Sequence, residues 1–508
     1  MVRPEWGSTL LFCIAGRLAY NVRFPGRRGG HSRPPAGGQW FPVLGLKRAN
    51  MTSLQALQDR FGRNVVFQMN VRLTDGGEKL GAVISATTAS GAHIGQVNIG
   101  KVLKTSMIYE IRVFAASDEQ MASVGKAVGA ISGIEVLDVL DMAMESHRGG
   151  SCEMRSRVPI TSNTDLRIVY TPGVARVCKA IEADPAKARE FTNIANKVAI
   201  VTDGTAILGL GDIGCLAGLP VMEGKSAIFW EFARISAEPI LIDTRDPKEF
   251  INVCERIACT FGAIQIEDVA APQCFEITRT LDERLPIPVF HDDQHGTATI
   301  VLAGLYSALR RTGRRMKDIT CAISGAGAAG TAIADVLMRA GMPDVVLADS
   351  KGIVYRGRTE GMNSEKAALA ERTNPRNITG GIAEAMKGRE LFIGVSRPNL
   401  VTQDMVRSMA KDPIVLALAN PVSEISVADA YKAGAAIAAD GRMMNNALAY
   451  PGIFRGALDT AARSITIEMM MAAAEALANI VPEGELLPEM MNPATHQAVA
   501  AAVRAAVK

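Results

Sequence analysis

None of the eight cysteines forms a Cys-x-x-Cys pair, and their spacing from Cys13 to Cys321 has no metal-site rhythm. Reduced thiols in a cytoplasmic protein are therefore expected. No stretch approaches the ~18 consecutive apolar residues of a membrane span. Charge of one sign is scarce too. The formal net charge is +3, and residues 1–50 alone hold eight basic residues against one acid, which leaves a body with 47 basic and 51 acidic residues. That mildly acidic balance argues against a nucleic-acid footprint, which needs cations concentrated on a folded face. No repeat of solenoid period is present. What the chain does have is length and apolar content: 508 residues, 48% hydrophobic and 21% charged, enough for two or three domains with a sizeable core.

The first residues stand apart. Arg3, Arg17, Arg23, Arg27, Arg28 and Arg33 interleave with Gly and Pro, and the apolar run Leu10 to Ala15 is short and closely followed by Arg17. This is a poor secretory signal, so residues 1–60 are expected to be a disordered leader, or a start assigned upstream of Met51. From Asn64 to Asp141 the periodicity predicts strand, helix, strand, strand, helix, strand: VVFQMNVRL, a helix around Glu78 to Ser90, strands at His93 to Ile99 and Met107 to Ala115, a helix from Asp118 to Ile131, and a strand at Ile134 to Leu140. With Gly91 and Gly95 around its second strand, this βαββαβ pattern over residues 61–145 resembles an ACT-type regulatory domain, which implies a small-molecule effector.

A Gly- and Ser-bearing linker follows at Arg148 to Asn163. Strands at Val198 to Thr202, Ile240 to Asp243, Ala263 to Ile266 and Val289 to Phe290 then alternate with helical stretches, and a second α/β run begins at Ile319. Beyond Phe454 only helical periodicity remains. The expected boundaries are 153–312 for the first α/β domain, 313–480 for the second and 481–508 for a helical tail.

ITCAISGAGAAGTAIADVLMRAG sets Gly325, Gly327 and Gly330 between an apolar strand and an apolar helix, and the next strand ends in Asp349. Strand, glycines, helix and acid together make the dinucleotide-binding fingerprint of a Rossmann-type domain: room for a tight turn, backbone access to the pyrophosphate, and a helix N-terminus facing its charge. Asp349 would bond the adenosine ribose and favour NAD, whereas Ser350 and Lys351 would suit a 2′-phosphate, so NAD and NADP both stay open. AIQIEDVAAP ends a strand with Glu267 and Asp268, and VFHDDQHGTA ends another with Asp292 and Asp293. Side chains alternate along a strand, so each pair serves one site only where the chain bends, which the following Pro272 and Gly296 permit. Such carboxylates suit Mg²⁺ or Mn²⁺, and a structural role is expected of His291 and His295. Tyr170 precedes Pro172 and Gly173 at a helix start. Lys225 lies in an apolar stretch of helix, where it either snorkels or, if desolvated beside a cation, acts as a general base.

YTPGV, VTDGTAILGLGDIG, VMEGK, IEDVAAP, VFHDDQHGTA, GAGAAG, ALANP and NNALAYPGIFRGAL stand in an order that resembles the malic enzymes, most closely the compact prokaryotic type, over about residues 150–470. The resemblance implies an α/β catalytic domain ahead of the Rossmann-type domain, oxidative decarboxylation of L-malate to pyruvate and CO₂ with NAD or NADP, a divalent metal and a homodimer. It also implies roles: Tyr170 as general acid, Lys225 as general base, Asp292 orienting the lysine, Glu267, Asp268 and Asp293 binding metal, and Asn420 and Asn446 holding malate, Asn420 beside the cofactor. Two departures stand out. Thr205 and Ala206 follow TDG where larger members carry a carboxylate-gripping Arg, and DGRMMNN replaces the Ser-Asp-Tyr-Pro-Asn-Gln stretch of compact members. Two competing readings are a metal-independent amino-acid-type dehydrogenase and a catalytically silent, metabolite-sensing ACT-domain protein.

Overall fold

The computed structural model describes residues 64–74 and 78–507, so the expected leader lies outside the described residues. The chain divides after Arg148 into two compact units. In the first, β1 (Val65–Leu73), α1 (Leu80–Ala89), β2 (His93–Val102), β3 (Met107–Ala115), α2 (Asp118–Gly129) and β4 (Ile134–Asp141) follow the expected βαββαβ order. The four strands form an antiparallel sheet in the order β2-β3-β1-β4. Alternation builds it: Phe67, Met69, Val71 and Leu73 are buried on one face of β1, while Gln68, Asn70 and Arg72 point to the other. The Ser117 hydroxyl caps α2 by accepting from the Gln120 N–H.

The second unit holds two sheets. Its first helices, α3 (Asn163–Val169) and α4 (Val174–Ala183), bury no residue. The first sheet, ordered β6-β5-β7-β8, is wholly parallel: β5 (Lys197–Thr202), β6 (Ser236–Leu241), β7 (Ala263–Ile266) and β8 (Val289–His291). Its crossover helices are α5 (Cys215–Ala233), α6 (Pro247–Ile257) and α7 (Gln273–Arg284). In β5 and β7 nearly every position is buried, as a parallel sheet covered on both faces requires.

The second sheet runs β11-β10-β9-β12-β13-β14, comprising β9 (Thr320–Ser324), β10 (Asp344–Asp349), the short antiparallel β11 (Gly352–Ile353), β12 (Leu391–Gly394), β13 (Ile414–Ala417) and β14 (Ile437–Asp440). Strand β9, followed by the glycine loop, lies between β10 and β12, where the winding reverses and ligands bind in open α/β sheets. The helix α8 (Thr297–Thr312) leads from the first sheet to the second and is buried for most of its length. Ile200 of the first sheet, Ile300 and Leu305 of α8, and Ile323 and Leu347 of the second sheet belong to one apolar cluster, so the two layers share a core. After β14 come only helices, among them α10 (Tyr450–Asp459), α11 (Ile467–Asn479) and α12 (Pro493–Ala506). Among the described residues, no helix is long and apolar enough to cross a membrane.

Candidate active site

The C-terminal ends of β7 and β8 deliver the two acidic pairs to one place. Asp268 adopts a left-handed backbone conformation at φ 53, so the chain already bends at Asp268 itself, four residues ahead of Pro272. The second bend is where it was expected. Residues Asp292–Gly296 form a wide helical turn, and a Cβ on Gly296 would sit 1.9 Å from the Asp292 carboxylate, so only glycine fits. One oxygen from each of Glu267, Asp268 and Asp293 lies within 4.8 Å of the others. The Asp268 N–H donates to Asp293 at 2.9 Å and fixes the register of the two turns.

Lys225 reaches this cluster from the middle of α5. Its Nζ pairs with Asp292 and, at 3.0 Å, with Glu267, and its side chain is only 12% exposed. The Asn446 amide donates to the same Asp292 oxygen at 2.7 Å. The loop after β5 closes the edge: Thr205 donates to Asp203 at 2.6 Å and accepts from the Ala270 N–H at 2.8 Å, while the Ala206 N–H donates to the Asp268 carbonyl at 3.0 Å. Asn420 packs where that loop meets the end of β14. A Cβ on Gly441 would lie 2.8 Å from its amide nitrogen, and one on Gly209 would lie 3.1 Å from its carbonyl.

Burial dominates the electrostatics. It pushes the carboxyl of Asp268 up to about 7, with the charge of Asp293 adding to the shift. It also raises Glu267 well above the ordinary range and raises Asp292 and Asp293, against the pull of Lys225. For Lys225 itself burial opposes the ammonium, but Asp292 and Glu267 outweigh it and hold the pKa well above its ordinary value. His291 and His295 are pushed down to about 3 by burial and are neutral. The His295 ring accepts at Nδ1 from the backbone N–H of His291 at 3.3 Å, a structural bond.

At the glycine loop, Gly325 has φ 116 and a Cβ there would meet the Val395 carbonyl at 2.6 Å, while a Cβ on Gly330 would meet the Gly325 carbonyl at 1.8 Å. Gly327 faces open space at the start of α9 (Ala328–Arg339), as backbone that must approach a ligand does. Asp349 ends β10 as expected, but its carboxylate is already engaged. Arg358 donates to both oxygens at 2.7 and 2.8 Å, Lys366 to one at 2.6 Å and the Lys351 N–H to the other at 2.8 Å. Burial opposes the charge of Asp349, and the bonds from Lys366, Lys351 and Arg358 keep its pKa low. The Lys351 ammonium pairs with Glu360 at 3.0 Å, next to Ser350 in the turn. Arg358 and Lys366 carried no local signal in the sequence.

Tyr170 stands apart from this constellation. It caps the C-terminal end of α3 and is 65% exposed, and no hydrogen bond among the described residues joins its hydroxyl to the cluster.

Two family profiles account for the second unit: "Malic enzyme, N-terminal domain" matches residues 150–282, and "Malic enzyme, NAD binding domain" matches residues 294–444 and 436–508. The chain belongs to the malic enzyme family. It is 44% identical over 411 residues to the NAD-dependent malic enzyme of Geobacillus stearothermophilus, a match covering 80% of this chain and 85% of that one. It is 43% identical over 371 residues to the NADP-dependent malic enzyme of Rhizobium meliloti, covering 72% of this chain and 48% of that longer protein. Among solved structures, the malic enzyme of Pyrococcus horikoshii superposes with a TM-score of 0.69 at 44% identity, over 72% of this chain and 89% of that one. In malic-enzyme terms the profiles begin just past the boundary at Arg148, and the βαββαβ unit lies ahead of them.

Proposed function

We propose that this malic-enzyme-family chain oxidatively decarboxylates L-malate to pyruvate and CO₂, with NAD or NADP as hydride acceptor and Mg²⁺ or Mn²⁺ as cofactor. The observation that carries the reading is the placing of Lys225 against Asp292 and Glu267, inside a cluster where three carboxylates converge. The donor set fits a hard divalent cation: all ligand atoms are carboxylate oxygens, and one Asp268 oxygen is buried with no hydrogen-bond partner among the described residues. Glu267, Asp268 and Asp293 would hold the cation, which when bound supplies Lewis acidity toward the C2 oxygen of malate.

The chain's own residues do the rest. Lys225 takes the C2 hydroxyl proton, and Asp292, itself held by Asn446, orients the lysine. Because the carboxylates hold Lys225 as an ammonium, any charge that satisfies them weakens that hold and favours the neutral amine the step requires. Asn420 and Asn446 orient malate, and the burial of Glu267, Asp268 and Asp292 excludes water. Tyr170, exposed on the arm ahead of the first sheet, is the residue whose motif assigns it to deliver the proton to carbon after CO₂ departs, which requires the arm to bring it to the cluster. A separate acid is needed because that proton goes to a different atom from the one Lys225 served.

A homodimer is part of the reading. Met154, Ile160, Leu166, Ile168 and Tyr170 are exposed along one arm ahead of the first sheet, a surface that a second copy would cover. Either dinucleotide suits the adenosine end, since Asp349 is neutralised by Arg358 and Lys366 and does not repel a 2′-phosphate. The cytoplasm is the compartment proposed, where the seven free thiols of the described residues would stay reduced.

The test is malate-dependent reduction of NAD⁺ and of NADP⁺ with Mn²⁺. The expected result is turnover with at least one dinucleotide, abolished by EDTA and restored by Mn²⁺. A metal-independent dehydrogenase would keep its rate in EDTA, and a silent sensor would show none under any condition. The βαββαβ unit is read as an ACT-like regulatory domain that modulates turnover through a small-molecule effector without performing it, since every assigned residue follows Glu153. A protein beginning near Glu153 should keep measurable malate oxidation and lose any effector response; a soluble but wholly inactive product would refute that division of labour.

A further inference from the structure

Two carboxylates and one aromatic face surround the Lys225 ammonium. Nζ stands 4.6 Å from the centroid of the Tyr450 ring, which is fully buried. Phe229, on the same helix as Lys225, meets the Tyr450 ring edge-on at 4.9 Å and 64°. Phe454 meets Phe229 at 5.2 Å and Phe290 at 5.4 Å, both edge-on. Phe290 lies on β8, two residues before Asp292. The ring is therefore tied to the helix that carries the lysine and to the strand that delivers its partner. The Tyr450 hydroxyl is buried without a hydrogen-bond partner among the described residues, so hydrogen bonding does not explain where the ring sits.

The face of an aromatic ring attracts an ammonium within about 6 Å, and does so more strongly where water is excluded. We propose that Tyr450 is a positioning residue for the reaction, its ring face being the third support of Lys225 Nζ. This rests on Lys225 being the base, as read above. The physical need arises from the other two supports. Glu267 is at once the partner of Lys225 and a candidate metal ligand, so its hold on the lysine changes when a cation binds. A flexible lysine side chain secured by carboxylates alone would then shift. The neutral ring face supports the ammonium that forms as Lys225 takes the C2 hydroxyl proton, and its attraction does not depend on the charge state of the acids.

The test replaces residue 450 of the full chain with phenylalanine and with its mono-, di- and trifluorinated forms, which drain electron density from the ring face at nearly constant volume. With saturating Mn²⁺, kcat for malate oxidation should fall stepwise along the series, by about tenfold in all. KM for malate, oxaloacetate decarboxylation and melting temperature should hold. Tyr450→Leu should be slower than any ring-bearing variant, and Tyr450→Phe should recover most of that loss. A flat kcat across folded fluorinated proteins overturns the proposal, and so does an equal loss in both partial reactions, which a purely structural ring would give. If the unaltered chain fails to oxidise malate with either dinucleotide, the functional reading falls and this role falls with it.

Discussion

Replacing Lys225 with alanine is expected to lower malate oxidation by about 10⁴-fold or more, the upper end of general-base effects, because no other group in the site is placed to take the C2 hydroxyl proton. Decarboxylation of added oxaloacetate begins after that proton has left, so it should survive. Tyr170→Phe should slow overall turnover by about 10²- to 10⁴-fold, with the loss at protonation of the enol carbon rather than at hydride transfer. The measurement is the ratio of the two partial reactions in each purified variant with saturating Mn²⁺. A melting curve must accompany it, since removing Lys225 leaves Glu267 and Asp292 buried without their cation, and breaking a buried pair costs about 3–5 kcal/mol. If Lys225→Ala loses both reactions equally while binding dinucleotide and Mn²⁺ normally, its role in the oxidation step is refuted.

The second large effect is expected at the carboxylate cluster. Asp293→Ala should weaken Mn²⁺ binding by at least about 100-fold, since losing even an outer-shell partner of a metal typically costs about 10- to 100-fold. Both partial reactions should suffer, in contrast to the lysine variant. Acidity should modulate the same site. Asp268 is pushed to about 7 in the folded chain, against an unfolded value near ~3.9. A carboxyl raised on folding favours the native state while protonated, and that contribution is lost as pH rises through about 7. Metal binding needs the ionised form and supplies the missing countercharge. The gain in melting temperature on adding Mn²⁺ should therefore be larger at about pH 8 than at about pH 6, roughly the behaviour of a ligand whose affinity rises as its donor ionises. Isothermal titration and thermal melts at the two pH values would decide it; a gain that is equal at both would mean Asp268 is not a donor.

Much of the architecture was legible because its signals are local. The alternation in VVFQMNVRL marks a strand with one buried face, and β1 spans those nine residues. The spacing of Gly325, Gly327 and Gly330 follows from steric demands of one strand-turn-helix crossing, so the loop could be read from a dozen residues. The acidic pairs were legible as candidates, but how they converge was not. Ahead of Pro272 the chain bends at Asp268, which has a left-handed backbone and whose N–H donates to Asp293, a residue from another strand end. Tyr170, read from its motif as the acid, lies exposed on an arm that buries nothing within α3 and α4.

By itself, then, the sequence determined the order of elements, the dinucleotide loop, the family and the residue types available for the chemistry. Periodicity, glycine conformational freedom and turn chemistry act over a few neighbouring residues and are written in them. The tertiary structure alone decided which groups share a dry, crowded space. It set Lys225 between Asp292 and Glu267 over the Tyr450 ring, committed Asp349 to Arg358 and Lys366, and raised Asp268 to about 7. These outcomes depend on distances between residues far apart in the chain and on the exclusion of water around them. Coulombic and desolvation energies are steep functions of both, and no local pattern encodes either.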